Sequence, residues 1–91
     1  MKTKTYSFYN DPGHGWLAVK RKELVELGII DKISTCSYQK GQTVYLEEDC
    51  DAPLFANAYT AKHGVKPATK DVYHEKTPIR NYDSFKNLAD V

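Results

Sequence analysis

The sequence predicts an α+β fold: a two-layer sandwich in the order ββαββαβ, with an antiparallel sheet and two helices on one face. Three observations lead there. Two pairs of segments with apolar and polar residues alternating are each joined by a short turn bearing Gly or Pro, the mark of hairpins. Two other segments switch to helical spacing, and each ends at a glycine. The chain has 91 residues, enough for one core and too few for two.

The elements follow in order. Tyr6 and Phe8 alternate with Thr5 and Ser7, the period of two that buries one face of a strand. Asn10-Asp11-Pro12-Gly13 breaks that run. Proline presets its own φ, Asn and Asp bond to nearby backbone, and glycine accepts a positive φ. Extension resumes in Gly15–Lys20, so the string Asp11–Leu17 (DPGHGWL) is first of all a hairpin connection. From Lys20 a short helix lines up Leu24, Val25 and Leu27, leaves Arg21, Lys22, Glu23 and Glu26 wet, and stops at Gly28. No Ser, Thr, Asp or Asn caps its start, so it relies on packing. Ile29, Ile30 and Ile33 read as core plugs.

A second hairpin turns at Lys40-Gly41-Gln42, with Val44 and Leu46 facing inward. The strongest helix follows, with Asp51 as N-cap, Pro53 in the first turn and Gly64 past the last. Leu54, Ala58 and Ala61 mark its core face, with Phe55 and Tyr59 beside them. A weaker last strand spans Ala68–Lys76. Residues 1–78 then form the domain and 79–91 a tail with apolar anchors at Ile79, Tyr82, Phe85 and Leu88 and marginal helix potential from Ser84 onward.

A net charge of +1 sets up no overall field toward nucleic acid or an anionic membrane. The N-terminal MKTKTYSFYN lacks the apolar centre and cleavage site of a signal peptide, and no apolar run is long enough to span a bilayer. A cytoplasmic location without membrane contact is expected. Cys36 and Cys50 are too few for a disulfide framework and read as small packing residues.

The Gly13 and Gly15 loop does not match a phosphate cradle, which needs a helix after it where this chain has a strand. His14, His63 and His74 are not spaced to share one element, so no metal or cofactor is expected. His14 as a general base lacks an identifiable nucleophile, and the chain is not expected to be an enzyme. Glu47, Glu48, Asp49 and Asp51 read two ways: as acids offsetting a helix N-terminus, or, with Tyr45 and Trp16, as a docking face for a basic partner. Trp16 either covers the end of the hairpin core or stands outside as an anchor. Basic residues are scattered along the chain, which argues against direct nucleic-acid binding.

The motifs DPGHGWL at Asp11–Leu17, YLEEDCD at Tyr45–Asp51 and IRNY at Ile79–Tyr82 resemble those of a family of small proteins carried by bacteriophages and mobile elements. The resemblance covers about residues 5 to 85; Lys20 departs from it, where a residue able to start the helix is expected. It implies an inhibitor of bacterial immunity of the anti-CRISPR kind, acting by surface docking without catalysis. The expected contact residues are His14, Trp16, Tyr45, Glu47, Glu48 and Asp49. The expected partner is a host defence protein or nucleoprotein complex, bound by a monomer or homodimer. A nucleic-acid-binding accessory protein and a small metal-dependent enzyme using the His14 loop remain the alternatives.

Overall fold

The computed structural model describes residues 4–86; of the segment from Ser84 onward with marginal helix potential, Ser84 falls in a short strand, and Leu88 with the rest of residues 87–91 lies outside the described residues. The strands are β1 (Thr5–Asn10), β2 (Gly15–Lys20), β3 (Tyr38–Lys40), β4 (Thr43–Glu47), β5 (Ala68–Tyr73) and β6 (Asp83–Ser84). The helices are α1 (Arg21–Glu26) and α2 (Ala52–His63), and short 3₁₀ turns span Ile30–Lys32 and Pro78–Asn81. The protein is a small α+β domain, as the pattern predicts: one sheet in the order β5-β1-β2-β4-β3-β6, with both helices packed on one side.

The expectation of a purely antiparallel sheet is corrected at one edge. β5 runs parallel to β1, with Thr5 opposite Ala68 and Asn10 opposite Tyr73. The cause is topological. β2 is antiparallel to both β1 and β4, so β4 points the same way as β1. A helix returning the chain after β4 delivers the next strand in that same direction. At the other edge, the two-residue β6 adds a strand the pattern did not show, pairing antiparallel with β3.

Phe8 and Leu17, then Leu17 and Leu46, then Val19 and Val44 stand opposite each other across β1, β2 and β4, so their side chains share one face. That face meets Leu24 of α1 and Phe55 and Tyr59 of α2 in the main core. Tyr6 packs edge-on against Phe55 and Tyr59, at centroid distances of 5.2 and 5.9 Å. The core face of α2 is therefore turned by about one residue from the expected one: Phe55 and Tyr59 are buried, Leu54 and Ala58 half-buried, and Ala61 exposed. Val25 of α1, expected inward, is 57% exposed. The six-residue helix has room for only one inward turn, which Leu24 occupies.

Local signals explain the boundaries. The Glu23 carboxylate accepts the Lys20 N–H at 3.4 Å, which helps the helix start although lysine has no acceptor to cap it. Gly28 and Gly64 sit at φ 72° and 77°, the left-handed conformation that ends a helix. Gly13 and Gly15, in contrast, do not take positive φ. Gly15 is needed for space: a Cβ there would lie 2.4 and 2.7 Å from Phe8 ring carbons. Gly15→Ala is expected to cost about 1–3 kcal/mol, the range of overpacking. Urea unfolding should show most of that cost disappearing in a Phe8→Leu background; an equal cost in both backgrounds would rule out the ring contact.

Residues 79–86, the described part of the expected tail, pack against the rest of the fold through their apolar anchors. Phe85 joins the main core and its N–H donates to Ser37 O at 2.8 Å. The buried Arg21 guanidinium holds this segment by donating to Lys86 O at 3.0 Å and Gln39 Oε1 at 2.6 Å, while lying over the Phe85 ring.

Candidate functional site

The β1–β2 connection is held by Asp11, which is nearly buried. Its Oδ1 accepts the N–H groups of Gly13 and His14, each at 2.9 Å, and its own N–H donates to His14 O. Arg80 closes over it with Nε to Oδ2 at 2.8 Å and Nη2 to Oδ1 at 2.9 Å. The same guanidinium lies 5.3 Å from the Trp16 ring centre.

Trp16 is therefore not a reachable anchor. It is 2% exposed, flanked by Tyr38 at 6.2 Å and His14 at 6.1 Å and covered by the Arg80 guanidinium. His14 itself is exposed. The Asp11 carboxyl is held well below its ordinary value, chiefly by Arg80 and then by the two loop N–H groups. A carboxyl lowered on folding contributes stability that is complete above its unfolded pKa, near 3.8, and fades as pH falls below it. The melting-temperature gap between the native chain and Arg80→Gln should accordingly be constant from pH 7 to 5 and shrink toward pH 2. A gap that does not change would show that the pair does not couple to the fold.

The acids predicted to form one corner are divided. Strand alternation puts Glu47 on the side of Trp16, its direct partner across β2 and β4. Its carboxylate is already engaged by the Asp49 N–H, at 2.6 Å. Glu48 faces the other way, lining a cavity of about 440 Å³ between the sheet and α2. Asp49 is exposed in the turn between them.

Tyr45 is where the site gathers. It lies on the sheet face that carries no helix, between Tyr9 at 6.0 Å and Tyr82 at 5.2 Å, and His74 stacks on Tyr9 at 6.3 Å. These rings and Ile79 enclose a cleft of about 130 Å³. Burial, then Tyr82 and Tyr9, push the Tyr45 phenol above its ordinary value, so it stays protonated and able to donate. A groove of about 240 Å³ adjoins, between Tyr9 and Tyr45 on one side and Lys20 and Thr43 on the other, with Ser7 and Ala18 between them. Tyr9, Tyr82 and Lys20 were missed by reading along the chain. Tyr9 alternates on the polar side of its strand, and that position was the available signal.

Cys36 and Cys50, expected to pack inside, are both exposed. Their thiols adjoin, and the Cys36 neighbour pushes the Cys50 thiol up to about 11. Among the described residues no three His, Cys, Asp or Glu side chains converge to hold a metal ion, and no helix is long and apolar enough to cross a membrane. Comparison with family models, curated proteins and solved structures gives no match to this chain.

Proposed function

We propose that the chain is a binding module that docks a macromolecular partner on the sheet face that carries no helix and works without catalysis. One observation supports this above the others: the half-buried Tyr9, Tyr45 and Tyr82 form a continuous aromatic patch on the side of the sheet opposite both helices. Tyrosine suits such a contact because its ring is apolar, its hydroxyl stays wet, and it loses little rotamer freedom on binding. His14 and Glu47 lie at the same end of this face, beside Trp16. Trp16 supports the face from below, and Glu48 belongs to the opposite side.

The finer reading, a phage-encoded inhibitor of a host defence complex, rests on the resemblance of the DPGHGWL and YLEEDCD motifs. The test uses immobilised protein in bacterial lysate, with bound partners identified by mass spectrometry. Tyr45→Ser/Tyr82→Ser should lose a partner that the native chain and Glu48→Lys both retain. Retention by the tyrosine variant, with its fold intact by circular dichroism, would remove this face from consideration; a partner unrelated to defence would remove the finer reading alone.

A further inference from the structure

We propose that the helix-free face binds single-stranded nucleic acid, with bases against Tyr9 and Tyr45 and phosphates along Lys20 and Lys40. This rests on reading that face as the docking surface and names its occupant. Charge is the first argument. Among the described strand residues, register and alternation place Lys20, Lys40 and Lys70 on this face and one acid, Glu47, in a chain whose net charge is just +1. Asp71 and Asp83 fall on the helix side, opposite Phe8 and Gln39. The lysines that look scattered along the sequence are thus gathered by the sheet: Lys20 and Lys40 flank Thr43 on either side.

Shape is the second argument. The groove beside Tyr45 has an aromatic wall, a floor of the small residues Ser7 and Ala18, and an opposite wall of Lys20 and Thr43. Both cationic heads are drawn over the face, Lys20 Nζ donating to Thr43 Oγ1 at 3.2 Å and Lys40 Nζ lying 4.8 Å from the Tyr82 ring centre. An unpaired nucleotide matches this: a planar base for the ring, an anionic phosphate for the ammonium, and edge atoms for the Ser7 and Thr43 hydroxyls. Stacking of this sort tolerates any base, and a duplex keeps its base faces hidden. A protein partner for the same face would need an acidic patch aligned with the lysines, and it is the rival outcome of the test.

The experiment is fluorescence anisotropy with labelled oligothymidylate and oligouridylate of about 12 nucleotides, within the site sizes of single-strand binders. Binding in the range of roughly 1–100 μM is expected, with log K falling against log salt at a slope of about −2 for three phosphate contacts, at Lys20, Lys40 and the neighbouring Lys70. Lys20→Gln/Lys40→Gln should reduce that slope to about −0.7. Tyr9→Leu should weaken binding about tenfold, and Lys62→Gln, exposed on α2 and outside the groove, should leave it unchanged. Absence of binding at the upper end of that range, equal binding of a blunt duplex, or a slope unaffected by the lysine replacements would overturn the proposal. Should the oligonucleotides fail while the tyrosine pair still governs capture of a nuclease-resistant partner, the docking face stands with a protein on it and this inference falls. Should both fail, both fall.

Discussion

Trp16→Ala is expected to destabilise the domain by about 3–5 kcal/mol, the range for removing a buried large aromatic ring. A chain of 91 residues has a total stability of roughly 5–14 kcal/mol, so this one change removes about a fifth of it or more. The reason lies in what covers the ring. Trp16 and Ile79, both 2% exposed, stand outside the main core cluster, and the Arg80 guanidinium lies over the indole. Arg80 belongs to the 3₁₀ turn Pro78–Asn81, and without the indole its guanidinium loses the ring it lies over. The melting temperature should fall by at least about 12 °C. Trp16→Phe is the control: it keeps a ring and deletes an indole N–H that has no hydrogen-bond partner among the described residues, so its cost should be much smaller. A fall of less than about 4 °C on Trp16→Ala would show that the ring carries little of the fold. The same reasoning makes Trp16 unsuitable as a probe of docking, since its loss would disturb the face through the fold.

Features written within a few residues of each other were legible in the sequence. The two hairpins announced themselves through alternation and turn residues, and α2 through Pro53 and Gly64. The features that escaped depend on contacts distant in sequence. Arg80 reaches Asp11 across 69 positions, and nothing near DPGHGWL announces a guanidinium that will cover its tryptophan. The direction of β5 follows from the path of α2 and not from Ala68–Tyr73, whose own composition fits either orientation. The candidate site divides in the same way. Tyr45 was identifiable because its strand alternates cleanly, whereas Lys20 and Lys40 become neighbours of one threonine only through register. Counting charges along the chain separates residues that the sheet brings together. The acids show the converse: Glu47 and Glu48 are adjacent in sequence, and strand alternation sends them to opposite faces.

Asp51→Ala should cost about 3 kcal/mol or more, because it removes a buried carboxylate that several donors share. The residue stands at the N-cap of α2, as its position predicts, yet its side chain makes no capping bond. It is 3% exposed and turned toward the segment before β3. There it accepts the Ser34 N–H at 3.1 Å, the Ser34 hydroxyl at 2.7 Å and the Ser37 hydroxyl. The Ser37 Oγ in turn accepts the Glu47 N–H at 3.0 Å. One carboxylate thus joins the end of β4, the start of α2 and the approach to β3, and its loss leaves buried donors without an acceptor. The expected signature is non-additivity. Ser37→Ala in the Asp51→Ala background should cost clearly less than in the native chain, since its hydroxyl has already lost its acceptor. Asp51→Asn should fall between the two, because an amide keeps an acceptor oxygen while bringing a second group that only donates. Chemical unfolding of the four members of the cycle measures this directly. Strictly additive losses would mean that Asp51 acts as an ordinary helix cap, through the backbone of α2 alone, and that the turn before β3 is held by something else.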